Sequence, residues 1–180
     1  MGIGRHQGSE KKHEPVKKNT GKAVVAYVLR AIVALLVFAV VLTNVFTHIL
    51  QVVNYNGTGM EPGMRGGQTL LLLKTQDVQE GDIIAFYYNN QVLVRRVICL
   101  GGKQLEISKE GDVRINEVLL NEPYVKEPSL GQCNITFPYN VRTGTVFVMG
   151  DNRSVSMDSR LQEIGTIPID RIIGKVILAI

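Results

Sequence analysis

The sequence predicts a mainly β protein, in which an antiparallel β domain follows one N-terminal transmembrane helix. Short apolar runs separated by turn signals indicate the strands. One uninterrupted apolar stretch near the N-terminus is long enough to cross a bilayer. A length of 180 residues suits a single domain with appendages. We therefore expect a basic tail over residues 1–22, a membrane anchor over 23–45 and a β domain over 46–180.

The net charge of +4 is concentrated in the tail. Residues 1–22 contain six basic residues against two acidic ones, and the remainder of the chain carries equal numbers of each. The tail is polar and rich in lysine, a composition that predicts disorder. Because the β domain has no excess of basic residues, its charge gives no indication of nucleic-acid binding.

The predicted anchor runs from Ala23 to Thr43 and is apolar except for Tyr27 and Arg30. Arg30 lies close enough to the basic end for its guanidinium to reach the headgroups. A cleaved secretory signal is the competing interpretation, but the stretch is long for one and no A-x-A-like site follows Thr43. A buried core helix would not be apolar all round beside a lysine-rich tail. The positive-inside rule then leaves the tail in the cytoplasm and the β domain outside the cell membrane.

The β domain is predicted from a series of short apolar runs in chain order. Turn signals such as Glu80-Gly81-Asp82 and Asn89-Asn90 separate them. Thr47–Val53 fits either a continued helix or a strand, and Pro123–Asn140, which holds three prolines, predicts a long loop. The predicted strands are Thr69–Leu73, Ile83–Tyr88, Val92–Leu100, Leu105–Ser108, Val113–Ile115, Val118–Leu120, Gly144–Met149 and a return to the sheet within Ile167–Ile180.

The two cysteines, Cys99 and Cys133, allow one disulfide at most. Cys99 lies in an apolar strand, where a small buried thiol is the expected state. No CxxC or Cys/His spacing is present, so the sequence predicts no metal site and no cofactor.

The most informative stretch is polar and runs from Gly150 to Arg160, directly after the apolar run Val146–Met149. Its sequence, GDNRSVSMDSR, is too polar for a core segment and resembles the last signature block of the bacterial type I signal peptidases. Three further blocks resemble that family in the same order: Gly57–Pro62 (family pattern G-x-S-M-x-P), Gly81–Phe86 (G-D-[IV]-V-x-F) and Val94–Lys103 (V-K-R-V-[IV]-G-L-P-G-D). Asn121–Tyr124 also looks like a family element.

The resemblance implies peptide hydrolysis by a serine and a lysine. A serine hydroxyl needs a neighbouring base to take its proton, and a lysine is such a base only when burial keeps it neutral. In this sequence the nucleophile position is Gly59, which has no side chain, and the base position is Arg95. A guanidinium stays protonated and accepts no proton. We therefore expect the family's usual activity to be absent or residual.

The resemblance also assigns supporting and substrate-binding roles. The supporting residues are Asp151, Asn152, Arg153, Ser156, Asp158 and Arg160. The substrate groove is expected from strands flanking Met60 and Ile83–Phe86, with Met60, Pro62, Ile83 and Phe86 as contact residues. A purely structural role, in which Asp158 pairs with Arg160 or Arg96 and stiffens a turn, is equally compatible with the sequence. Arg95 is expected near Asp158, in the space of the missing nucleophile.

These observations predict a membrane-anchored relative that binds signal peptides, or a partner signal peptidase, at the outer face of the lipid bilayer without cleaving. One alternative is an active signal peptidase that uses Thr58, although the only histidines are His6, His13 and His48, and none is well placed as its base. The other alternative is a surface interaction module without a peptide groove.

Overall fold

A computed structural model describes residues 20–180 of the chain. The predicted disorder of the tail falls almost wholly outside these residues. Helix α1 spans Thr20–Asn44, and its side chains from Gly21 onward are exposed along the whole length. From Gly21 to Ile49 the chain is long and apolar enough to cross a membrane. A π-helical turn, Val45–Ile49, follows α1.

The second unit of the chain, Thr43–Ile180, is built from antiparallel strands. Seven of the strands form one sheet in the order β1-β2-β11-β3-β4-β9-β10, and four form a smaller sheet in the order β7-β6-β5-β8. The strands are β1 Leu50–Tyr55, β2 Gln68–Leu73, β3 Ile83–Tyr88, β4 Gln91–Leu100, β5 Gln104–Ile107, β6 Val113–Ile115, β7 Val118–Leu119, β8 Tyr139–Asn140, β9 Thr145–Met149, β10 Ile167–Pro168 and β11 Ile172–Ala179. The predicted fold class, mainly antiparallel β with one N-terminal apolar helix, is confirmed.

Three segments differ from the sequence predictions or were left open by them. Thr47–Val53 is neither one helix nor one strand, because the π-helical turn gives way to β1 at Leu50. Pro123–Asn140 is a loop except for the short β8 at its end. Ile167–Ile180 returns to the sheet in two parts. Pro168 has no N–H to donate, so β10 ends there, and a 3-10 turn precedes β11.

The β3–β4 hairpin shows how local sequence sets the register. Asn89 and Asn90 both have positive φ, 47° and 61°, as a two-residue hairpin turn of this hand requires. Asparagine tolerates this left-handed conformation better than other residues with side chains. The tight turn places Ile84 opposite Arg95 and Ile83 opposite Arg96.

Strand β9 is buried on both faces and joins two parts of the core. Val146 and Val148 pack in one apolar cluster with Phe86, whereas Phe147 and Met149 pack in a second. All five residues of β9 are buried. This explains why its sequence is continuously apolar rather than alternating.

Truncation of Phe147 to alanine should test the importance of β9. Phe147 is fully buried and contacts the ring of Tyr139 at a centroid distance of 5.7 Å. Phe147→Ala should lower the free energy of unfolding by about 3–5 kcal/mol. Thermal unfolding of the detergent-solubilised chain would measure the loss, with Tyr87→Ala, at a site 61% exposed, as the control. Equal melting temperatures for the two variants would contradict the placement of Phe147 in the core.

Candidate functional site

The polar loop Gly150–Arg160 begins where β9 leaves the sheet. Met149 pairs with Arg96 of β4, so β9 provides no partner for the first half of β4, up to Arg95. The loop therefore starts beside the arginine at the predicted base position. It also meets the turn at Gly59, because Asn152 donates its backbone N–H to the Gly59 carbonyl at 3.0 Å and its amide Nδ2 to the Thr58 carbonyl at 3.3 Å.

A fully buried ion pair closes this loop. Arg160 donates Nε to Asp158 Oδ1 and Nη2 to Asp158 Oδ2, both at 2.8 Å, and neither side chain has exposed surface. Asp158 also accepts the backbone N–H groups of Gly150 and Arg160. Arg160 in turn donates to the Leu130 carbonyl at 2.7 Å and to the Arg153 carbonyl at 2.9 Å. Of the two structural contacts considered for Asp158, the one with Arg160 is present.

Arg96 makes a different pair from the one considered. It donates Nε and Nη2 to the two oxygens of Asp151, at 2.8 and 2.6 Å. Its guanidinium lies 4.0 Å from the centre of the Tyr124 ring, and its Nη1 donates to the Gly81 carbonyl. Burial lowers the pKa of Arg96, but the hydrogen bond and the charge of Asp151 outweigh it, and the net pKa is raised.

A third clamp ties the loop to the segment around residue 122. Arg153 has no exposed side-chain surface and forms a two-point contact with Glu122, at 3.0 and 2.6 Å. Its Nε donates to the Gly150 carbonyl. Two-point pairs between a guanidinium and a carboxylate are strong and directional, so the three clamps hold the loop in one conformation.

Tyr55 fixes the other side of the site. Its hydroxyl accepts the backbone N–H of Met60 at 3.1 Å, and burial raises the pKa of this phenol. A Cβ on Gly57 would come within 2.9 Å of the Tyr55 ring. The turn that carries Gly59 is therefore held against Tyr55 from one side and against Asn152 from the other.

Arg95 faces Gly59 directly. A Cβ at residue 59 would lie 3.2 Å from Cζ and from Nη1 of Arg95, and 3.3 Å from Nη2. The arginine is only 6% exposed. Nε donates to the Met157 carbonyl at 2.9 Å and Nη1 to the Val94 carbonyl at 2.6 Å. The guanidinium thus takes up the space next to residue 59 that a side chain at that position would need.

Ser156 is the supporting residue that lacks a partner. Its hydroxyl is buried and makes no hydrogen bond with any residue from 20 to 180. A Cβ on Gly150 would collide with both Ser156 Oγ and the Gly59 carbonyl oxygen, so the hydroxyl lies near the backbone of residue 59. A buried hydroxyl without a partner carries a desolvation cost.

A surface groove of about 590 Å³ opens above these residues. Its wall is formed by the end of β1, the turn that follows, the first half of β4 and two loop residues. The lining residues are Val53, Asn54, Tyr55, Asn56, Gly57, Thr58, Gly59, Gln91, Val92, Leu93, Val94, Arg95, Val155 and Met157. This set contains no histidine, lysine or carboxylate. Thr58 is exposed.

None of the four predicted substrate-contact residues lines this groove. Phe86 is 1% exposed and packs in the core with Val97 and Val148, and Met60 has no exposed surface. Ile83 is half-buried against the same cluster as Met60, and Pro62 is exposed outside the groove. Successive side chains of a strand point to opposite faces, and both faces of β3 are buried, with Ile84 and Phe86 in one apolar cluster and Ala85 in another.

The structure adds residues that the sequence analysis did not single out for the site. Tyr55 holds the turn, Glu122 pairs with Arg153, and Tyr124 stacks on Arg96. Val155 and Met157 are 55% and 50% exposed and give the groove an apolar rim. The block Asn121–Tyr124 signalled a role for Glu122 and Tyr124, but their partners are distant in sequence.

Both cysteines are free thiols. Burial, reinforced by the charge of Glu80, raises the pKa of Cys99 to about 11, which matches the expected inert buried thiol. Among residues 20–180 no group of three histidine, cysteine or acidic side chains is placed to hold a metal ion.

Comparison with known proteins places the chain in a family. The family model described as "Signal peptidase, peptidase S26" matches residues 25–180. Signal peptidase I of Bacillus licheniformis is 30% identical over 179 residues, covering 92% of this chain and 91% of that protein. The chain therefore belongs to the signal peptidase family, peptidase S26.

Two further similar proteins match over a smaller share of their own length or of this chain. Thylakoidal processing peptidase 1 of Arabidopsis thaliana is 34% identical over 89 residues, which cover 49% of this chain but only 24% of that protein. The crystal structure of a signal peptidase I from Enterococcus faecalis V583 aligns with a TM-score of 0.47 and 31% identity, over 55% of this chain and 96% of that one.

Breaking the Asp158–Arg160 pair should destabilise the domain strongly. Asp158→Asn leaves the Arg160 charge buried without its counter-charge, and such a change costs about 3–5 kcal/mol. The matched control is Glu80→Gln, which breaks the partly exposed Glu80–Lys103 pair and should cost about 0–1 kcal/mol. Denaturant unfolding of both variants would measure the difference. If the two variants lost equal stability, the buried pair would not be the clamp described here.

Proposed function

We propose that this chain is a membrane-anchored member of the signal peptidase family that binds signal peptides without cleaving them. The observation that carries the proposal is the guanidinium of Arg95, which lies 3.2 Å from the position that a Cβ of residue 59 would take, where the family's reacting groups are expected. The groove remains open above this contact, so a peptide has access to a site that lacks reacting groups.

The chemistry of the lining residues supports the absence of cleavage. Gly59 offers no nucleophile, and an arginine does not accept the proton that a nucleophile must lose. Tyr55 is the nearest other ionisable group in the groove, and burial raises its pKa, so it stays protonated. Thr58 has a hydroxyl, but no histidine, lysine or carboxylate among the lining residues is available to activate it.

Peptide binding is supported by two unpaired strand edges. Among residues 20–180, strand β1 pairs with β2 alone, and the first half of β4, Gln91–Arg95, pairs with β3 alone. Both edges line the groove. An extended peptide can add to such an edge through backbone hydrogen bonds, while its alternate side chains enter shallow pockets. Val92, Val155 and Met157 offer apolar contacts that suit small side chains.

The membrane placement is part of the same proposal. Residues 23–45 would anchor the chain in the cell membrane, with the tail 1–22 in the cytoplasm and residues 46–180 outside. Support comes from the length and apolar character of Gly21–Ile49 and from the excess of positive charge before it.

Restoring the two reacting groups should restore cleavage. The natural chain should leave a preprotein uncut, because loss of the nucleophile of a serine protease lowers turnover by on the order of 10⁶. Gly59→Ser/Arg95→Lys should cut, since the smaller amine clears the space beside residue 59 and is a base that burial can keep neutral. Gel analysis of a preprotein incubated with each chain in detergent would measure this.

Two further variants make this test sharp. Gly59→Ser alone should stay inactive, because the new Cβ meets the guanidinium at 3.2 Å and no base is present. Thr58→Ala should leave the preprotein uncut, as the natural chain does. Cleavage by the natural chain that Thr58→Ala abolishes would contradict the proposal and establish an active peptidase with a threonine nucleophile.

Binding should depend on the backbone of the peptide. A fluorescent signal peptide should bind the full chain in detergent, and the same peptide with N-methylated amides at alternate positions should bind at least tenfold more weakly, because each methyl group removes a donor from the added strand. Fluorescence anisotropy would measure both affinities. Equal affinities would show that the strand edges are not used.

A further inference from the structure

No carboxylate among residues 20–180 accepts a hydrogen bond from Arg95. Arg96, Arg153 and Arg160 each pair with a carboxylate at 2.6–3.0 Å. Arg95 donates only to two neutral carbonyls, through Nε and Nη1, and Nη2 has no hydrogen-bond partner within residues 20–180. It is therefore a guanidinium more than nine-tenths buried, with unused donors in the lining of an open groove.

The neighbouring carboxylate is not available to it. Both oxygens of Asp158 are engaged by Arg160, and they also accept the backbone N–H groups of Gly150 and Arg160. Asp158 acts on Arg95 through its charge alone, and this only partly offsets the burial that lowers the pKa of Arg95. A buried charge without a counter-ion is unfavourable, and a ligand anion that reached Nη2 would relieve that cost.

The surroundings of Arg95 select the kind of anion. The guanidinium lies at the end of the unpaired segment of β4, beside residue 59 and in the lining of the groove. The rest of the lining is neutral, with two strand edges and apolar side chains. These features fit an extended peptide whose chain ends at Arg95, rather than a free inorganic ion.

We propose that the groove binds peptides that end in a free α-carboxylate, with the carboxylate paired to Arg95. The inference rests on the proposed peptide-binding function and names its ligand. An intact preprotein presents a neutral peptide bond at the same place, whereas a peptide already released by a cleaving enzyme presents a carboxylate. The chain would then be a receptor for cleaved peptides, and it would discriminate against uncut ones.

Two peptides of identical sequence, one ending in a free acid and one in an amide, test this directly. Anisotropy with the full chain in detergent should show the acid binding roughly ten- to a hundredfold more tightly, the range expected of a charge-assisted hydrogen bond. In Arg95→Gln the preference should disappear. Arg114→Gln, a control that removes an exposed arginine of the other sheet, should keep it.

The outcomes separate the two proposals. Equal affinity of acid and amide for the natural chain would overturn the carboxylate inference while leaving peptide binding intact. Failure of both peptides to bind would overturn peptide binding itself. Inorganic phosphate at millimolar concentration serves as a competitor of the acid peptide. If the same phosphate concentration displaced the peptide from the natural chain and from Arg95→Gln, the anion would bind away from Arg95. That result would also overturn the inference. The acid–amide comparison needs no variant, so it stands even if Arg95→Gln fails to fold.

Discussion

The site depends on the buried ion pair between Asp158 and Arg160. The pair closes the loop on itself, and the remaining donors of Arg160 fasten the loop to the carbonyls of Ser129 and Leu130. The loop then holds the turn at Gly59 through Asn152. Because a buried charge is tolerated only with its counter-charge in place, the geometry around residue 59 follows from a contact that takes no part in hydrolysis.

The fold class and most strands are predictable from the sequence because local signals agree with the tertiary structure. Paired asparagines mark the β3–β4 turn, and continuous apolar runs mark strands such as β9. The segments that resisted prediction are those where tertiary contacts decide. β8 has only two residues and exists because β5 pairs with it, and no periodicity can be read from so short a run.

For the site, sequence reasoning located the loop and the two positions that face each other, Gly59 and Arg95. It could not assign partners among the arginines, because a guanidinium can pair with any carboxylate that the fold brings near, and Asp151 and Glu122 lie 55 and 31 residues from theirs. Nor could it identify the residues that line the groove. Phe86 lies in a block that resembles the family, yet the pleat of β3 turns its side chain into the core.

Gly150 shows that a residue of a family motif can be required by packing alone. Any side chain there would strike Ser156 Oγ and the carbonyl oxygen of Gly59, so the glycine is demanded by steric fit whether or not residue 59 reacts. The same holds for the arginines and aspartates around it, which form ion pairs with one another or with nearby strands. A motif of this kind therefore identifies the fold of the site rather than its activity. Assigning an activity from such a motif requires separate inspection of the one or two atoms that would carry the reaction.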